Sequence, residues 1–276
     1  ADTLFNVIAT IILMPFTIMI AAYIEKKITK SSRKESGIVE SRYLRSEEEI
    51  RGPLGVYFGL HAVWAMALVA LKYVNPPTTG VQIQRRVESW FASGKYQKKQ
   101  TWLPLTRISP QLQHAVIAAE DGRFYQTYGI DWQQVEIVMQ ESLEEGEIPR
   151  GASTITQQLA KNLYLSPSRN PLRKLTELFI TRRLEVELPK RRILELYLNL
   201  IEWGDGLWGC EAAARAYFGV SAADLSPTQA ALLAGAIINP RRYSPAHPNA
   251  RLLRRQAIIL RRMGEVTPPS SSDTPA

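Results

Sequence analysis

Cysteine occurs once in this chain, as Cys210, and histidine three times, as His61, His114 and His247. A lone thiol excludes an intramolecular disulfide and a cysteine metal cluster, and three histidines so far apart show no ligand spacing. Cys210 is therefore expected as a buried core residue. Acidic side chains are in deficit, with 26 Asp and Glu against 34 Lys and Arg, a formal net charge of +8 and a pI of about 9.6. That balance suits an anionic partner, whether nucleic acid, an acidic headgroup or a phosphate, and charge alone does not choose among them. Period-two alternation is also scarce. No strand pairing or internal repeat stands out, so the fold class is mainly α.

Long uncharged runs are confined to the beginning of the chain. Leu4 to Ile24 carries no formal charge. At about 1.5 Å rise per residue it is long enough to cross a bilayer core about 30 Å thick, and a bilayer helix tolerates Pro15. Its apolar part is too long for a signal peptide, and no basic residue precedes it. Pro53 to Leu71 is a second uncharged run, weakened by Gly52, Gly55, Gly59 and His61. Between them, residues 25–51 hold eight basic and six acidic side chains. A short basic loop stays cytoplasmic, so the pair reads as a hairpin with everything after about residue 75 outside. The expected organisation is a first transmembrane segment (1–24), a cytoplasmic loop (25–51), a second transmembrane segment (52–74), a connector (75–102), a main domain (103–264) and a disordered tail (265–276).

In the main domain the periodicity is helical. Leu112, Ala115, Val116 and Ala119 share one face of a helix that ends at Glu120. Asp131 can cap a helix to about Glu145, and Ser153 or Thr154 one through Tyr164. Asn170-Pro171 opens another to about Leu188. Pro189 starts the next, Gly204 to Gly209 is a turn, and helices follow over 212–217, 227–238 and 251–263.

Three clusters carry chemistry. Glu120 ends an apolar helix, where a partly desolvated carboxylate has a raised pKa and can act as a base; a solvated helix-end Glu is the plainer reading. Asp121 is better placed to pin backbone or a cation. In Gly-Ala-Ser-Thr-Ile-Thr-Gln-Gln-Leu-Ala-Lys-Asn (151–162), Gln157, Gln158 and Lys161 would share a face behind a helix N-terminus that favours an anion. Arg173 and Lys174 precede Glu177 by four and three residues, a surface ion pair by default. Functionally, the two cations would neutralise a diphosphate while Glu177 positions a reacting group. Arg150 and Arg169 are close enough in sequence to add to that field.

These motifs resemble the peptidoglycan glycosyltransferases of family 51. The resemblance spans roughly 103–263. It rests on Glu120-Asp121-Gly-Arg-Phe124 with Gly129, the 151–162 run, Arg173-Lys174 with Glu177, Lys190-Arg-Arg-Ile-Leu-Glu-Leu-Tyr-Leu-Asn199, Tyr217-Phe218-Gly219 and Ala230-Ala-Leu-Leu-Ala-Gly235. Thr127 stands where the family usually has histidine, and Val220 where lysine is common. The family usually has one membrane helix, which leaves the extra leading segment unexplained.

The resemblance implies a lysozyme-like helical domain that polymerises lipid II into β-1,4-linked glycan strands and releases undecaprenyl diphosphate. Glu120 matches the general base and Glu177 the carboxylate beside the donor diphosphate. Inversion leads us to expect the two carboxyls about 6.5 Å or more apart. The expected substrate-binding set is Asp121, Phe124, Arg150, Ser153, Thr154, Gln157, Gln158, Lys161, Arg169, Arg173 and Lys174. No obligatory cofactor or protein-bound metal is expected, although a divalent cation is compatible. Expected partners are lipid II, the growing glycan chain, membrane lipids and other cell-wall synthesis or division proteins, with no nucleic acid. The location implied is the bacterial inner membrane, with the catalytic domain on its outer side. Leu163, Tyr164 and Leu165 either dip into the bilayer or fill the core. The monofunctional form is expected over a bifunctional penicillin-binding protein, because the chain ends soon after the motifs; Ser31-Ser-Arg-Lys34, in the cytoplasmic loop with no Lys-Thr-Gly partner, is read as a chance match. The competing readings are a lytic murein-degrading enzyme of related fold and a non-catalytic scaffold that binds lipid II.

Overall fold

Prolines and hydroxyl caps set the element boundaries. A computed structural model of the chain describes residues 66, 68–91, 97–145, 153–165 and 171–264. Two compact units meet in sequence at Tyr73 and Val74. Of the first, only Met66, a short helical stretch over 68–70 and the turn that follows it are described. The first apolar segment, the basic loop, most of the second segment, the tail, Arg150 and Arg169 lie outside the described residues. Among the described residues no helix is long and apolar enough to cross a membrane.

The second unit runs α1 (Gly80–Phe91), β1 (Lys99–Gln100), a 3-10 turn (Leu105–Arg107), α2 (Pro110–Glu120), α3 (Trp132–Glu145), α4 (Ile155–Tyr164) and α5 (Pro171–Glu187). It continues with α6 (Lys190–Leu200), β2 (Glu202–Gly204), β3 (Leu207–Trp208), α7 (Cys210–Phe218), α8 (Pro227–Ala236) and α9 (Ala250–Met263). The class is mainly α, as the periodicity suggests. Two features depart from the expectation. The connector 75–102 contains the helix α1, which buries Gly80, Val81, Gln82 and Gln84, too polar a face for an apolar stripe to announce. A small sheet of order β1-β3-β2 is also present, with β1 parallel and β2 antiparallel to β3. Strands of two and three residues are too short to show alternation.

Two helix groups make the core. In one, α8 packs on α9 and α2, and α9 also on α2; in the other, α4 packs on α5, α6 and α1. Both draw on nearly continuous apolar helices. α8 buries every residue from Ala230 to Ala236, and α6 buries Ile193, Leu194 and all of Leu196 to Leu200. Asn199 is the polar exception within α6. Its side-chain oxygen accepts from Leu103 N–H and its amide donates to Leu103 O, both at 2.9 Å, so it latches the entering chain to the core. Gly209 makes a close approach to that helix end. Its φ is +80°, and a Cβ there would meet Asn199 O at 2.8 Å. Cys210 is fully buried, as expected, and burial pushes its thiol up to about 12.

Candidate active site

α2 starts on Pro110 behind the cap Ser109, buries Leu112, Ala115, Val116, Ile117 and Ala118, and ends on Glu120. The first carboxylate thus leaves its helix where the core-facing stretch stops. Its side chain is only 12% exposed, and burial raises its pKa. Three groups oppose that shift: a hydrogen bond from Gln158 Nε2 to Oε2 at 2.7 Å, the Arg255 guanidinium 3.7 Å from Oε1, and the nearby ammonium of Lys161. A carboxylate disfavoured by desolvation yet held by donors retains basicity while staying able to ionise.

Asp121, the next residue, turns the other way. Its Oδ2 accepts the Ile155 N–H at 3.1 Å, the first amide of α4. Burial pushes its carboxyl up to about 6, although Lys190 and the Ile155 amide act against the shift. Asp121 therefore ties the end of α2 to the start of α4. Thr154 completes that start with a capping box. Its Oγ1 accepts from Gln157 N–H at 3.2 Å, and the Gln157 side chain accepts from Thr154 N–H at 3.0 Å. The Thr154 hydroxyl also donates to Gly129 O at 2.6 Å. Gly129, at φ +79°, passes so close to α5 that a Cβ would stand 2.7 Å from Thr181 Cγ2 and 2.9 Å from Glu185 Cγ.

These contacts correct several expectations. The N-terminus of α4 is occupied by Asp121 and Thr154 rather than open to a substrate anion. Gln157 is buried in the cap, so it does not share the face of Gln158 and Lys161. Phe124 is 0% exposed and lies under the Lys190 ammonium, 4.5 Å from its ring centroid, in the core rather than on a binding wall. Thr127, at the usual histidine position, donates to Arg123 O at 3.3 Å. Leu163 and Leu165 are buried, and Tyr164 is half-buried with its hydroxyl pushed up to about 12, which favours the core alternative over bilayer insertion.

The second carboxylate, Glu177, lies on α5 with its side chain 4% exposed. Arg173 Nη1 reaches its Oε2 at 2.7 Å, and Lys174 Nζ binds its Oε1. Lys174, 43% exposed, also reaches Ser153 Oγ at 3.5 Å. This is a buried acid bearing two cations, one of them toward solvent, and not the surface pair of the default reading. Lys161 joins the two halves. Its pKa is lowered, chiefly by burial, and it lies within electrostatic reach of Glu177, Arg173, Lys174 and Glu120 together. Three cations thus gather beside two carboxylates carried by different helices, with α4 between. Among the described residues no group of His, Cys, Asp or Glu is arranged to hold a metal ion.

Three contributors escape a sequence reading. Arg255, on α9, donates from Nε to Gly235 O at 3.2 Å and directs its other end at Glu120. Tyr197, on α6, donates from its hydroxyl to Gln158 Oε1 at 2.7 Å. Glu185 accepts from Lys190 Nζ at 2.8 Å and from Thr156 Oγ1 at 2.5 Å, behind the start of α4. Of the three, only Tyr197 stands in a motif already singled out, and there without an individual role.

The transglycosylase family model matches residues 86–264. Biosynthetic peptidoglycan transglycosylase of Laribacter hongkongensis is 44% identical over 213 residues, covering 77% of this chain and 93% of that protein. The proteins of the same name from Rhodospirillum centenum and Nitrosomonas eutropha are 46% and 41% identical, covering 79% and 86% of this chain and 91% and 97% of their own lengths. With its paired carboxylates and gathered cations, the chain belongs to the transglycosylase family.

Proposed function

We propose that this protein is a peptidoglycan glycosyltransferase of the cell envelope in which Glu120 is the general base and Glu177, with its cations, serves the donor diphosphate. Glu120 takes the proton from the 4-hydroxyl of the acceptor N-acetylglucosamine. That oxygen forms the new bond to C1 of the donor N-acetylmuramic acid as the C1–phosphate bond breaks. The electron pair leaves on undecaprenyl diphosphate, and attack opposite the leaving group turns the α-linkage into β-1,4. Arg173, Lys174 and Lys161 stabilise the charge that develops on the departing diphosphate. The observation that carries this reading is the two largely buried carboxylates, each held by donors or cations: Glu120 by Gln158 and Arg255, and Glu177 by Arg173 and Lys174.

Gln158, which meets both Glu120 and solvent, belongs to the acceptor side, and Ser153, beside Lys174, to the diphosphate side. The field of cations is the natural place for Arg150 and Arg169 as well. No obligatory cofactor enters the reaction, and a divalent cation bound with the diphosphate is compatible with it. Lipid II is confined to a leaflet, so anchoring through Leu4–Ile24 and Pro53–Leu71 in the inner membrane would reduce the search to two dimensions, with membrane lipids and other wall-synthesis or division proteins as neighbours. Glu120→Gln keeps shape and hydrogen bonding but removes the base, so polymerisation of labelled lipid II should fall at least about 100-fold with the fold intact. Near-normal polymerisation by this variant would refute the base assignment. Shortening of purified glycan by the unmodified enzyme, without polymer formation, would favour the lytic alternative instead.

A further inference from the structure

We infer that Tyr197 is a positioning residue for the reaction: its buried hydroxyl fixes the orientation of the Gln158 side chain so that the amide NH2 faces Glu120. The inference rests on Glu120 being the base. A primary amide has a donor end and an acceptor end; an ionised carboxylate only accepts and takes the NH2, so the amide oxygen must be anchored by a separate donor for the side chain to be held. Here Tyr197 OH donates to Gln158 Oε1 at 2.7 Å, and Gln158 Nε2 donates to Glu120 Oε2 at 2.7 Å. Tyr197 is fully buried, and burial, together with the charges of Glu120 and Asp121, drives its pKa well above the ordinary value. The phenol therefore stays protonated at working pH and keeps its O–H to give. It offers a donor, and Gln158 Oε1 is the atom that takes it. The reversed amide would set an oxygen against the carboxylate and leave the phenol facing an NH2.

The chain crosses three helices, from Tyr197 on α6 through Gln158 on α4 to Glu120 on α2. The packing of α4 on α6 holds its first link. The charged and titratable groups acting on Glu120 are Lys161 from α4 and Arg255 from α9, with the Tyr197 phenol from α6 feeling its charge, while Asp121, next to Glu120 in sequence, is bound to Ile155 N–H. Lys161 and Arg255 act by charge alone, and neither can set an amide's orientation. Without Tyr197 the amide oxygen loses its anchor, the donor to Glu120 is held less firmly, and the acid form of Glu120 gains. The base is then lost at a higher pH, so the acidic limb of the rate profile moves up.

The test uses the full chain in lipid vesicles and follows labelled lipid II polymerisation from about pH 5 to 9. Tyr197→Phe removes one oxygen, and its kcat should fall roughly tenfold at neutral pH with KM unchanged, because the hydroxyl touches no substrate. Its acidic limb should rise by about one pH unit. Gln158→Leu should lose at least as much, and the double variant should lose no more than Gln158→Leu alone, since the two residues act as one unit. A Tyr197→Phe enzyme with the normal kcat and acidic limb overturns the proposal, and so do additive losses in the double variant. Should Tyr197→Phe fail to fold, Gln158→Leu carries the test, and an unmoved acidic limb there also overturns it. Glu120→Gln, run in parallel, separates the two claims. If it is inactive while Tyr197→Phe is normal, only the positioning role fails; if it is active, the base assignment fails.

Discussion

Glu120 and Asp121 are adjacent carboxylates with opposite duties. Glu120 meets donors from side chains, which leave a lone pair for a proton in transit. Asp121 meets a backbone amide that never leaves. Its burial has a thermodynamic signature. A carboxyl raised from 3.8 to about 6 in the folded state favours its neutral form. Its contribution to stability is therefore full below pH 3.8 and is lost as pH rises through 6. About 1.36 kcal/mol per unit puts the whole effect at up to about 3 kcal/mol. Asp121→Asn keeps the acceptor for Ile155 and removes the charge, so its melting temperature relative to the unmodified protein should climb between about pH 4 and 6 and stay higher above. Melting curves across that range check this, and a flat difference would remove Asp121 as the titrating group. The pairing of Glu120 with Asp121 can be read in the sequence. Their division of labour cannot, because it depends on which neighbours the fold brings to each.

At the scale of the element, α4 is the bench on which the site is mounted. It carries Gln158 and Lys161 toward the two carboxylates and hides Ile155, Leu159 and Leu163 in the core. The capping box at Thr154 is legible from Ser-Thr-Ile-Thr-Gln, since Thr followed by Gln at the third helical position is a start signal. Less legible is the second bond of Thr154, to Gly129, which ties this start to a loop far back in the chain. Thr154→Ala should therefore destabilise by about 1–2 kcal/mol. It should also lower kcat, because Gln158 and Lys161 follow the helix start, whereas Thr154→Ser, which keeps the hydroxyl, should restore both. Denaturant melts paired with rates decide whether cap and catalysis move together. The face expected to hold Gln157 with Lys161 shows the limit of spacing arguments: four residues apart is near enough to share a helix face, but the cap took Gln157 inward.

Across the whole molecule, two helix groups each supply half of the environment of the base. α4 and α6 bring Gln158 and Tyr197, while α9, docked on α8 and α2, brings Arg255. Arg255 is one arginine in a helix that holds several, including exposed Arg261. Arg255→Gln should lower kcat roughly fivefold and raise the acidic limb, since a half-buried cation near Glu120 is worth on the order of 1 kcal/mol, while Arg261→Gln should leave the profile unchanged. Equal effects from the two would point to net charge and away from a specific pair. Local sequence determined the helical class, the caps at Ser109 and Thr154, the end of α2 at Glu120 and the cluster of Arg173, Lys174 and Glu177, because periodicity, capping and helix-face spacing act within a few residues. Tertiary structure alone decided that Asp121 occupies the start of α4, that Phe124 sits in the core, that α1 buries polar residues, and that Tyr197 and Arg255 converge on one carboxylate. Those contacts join residues tens of positions apart, and they are selected by how helices pack and which polar groups must find partners once water has gone.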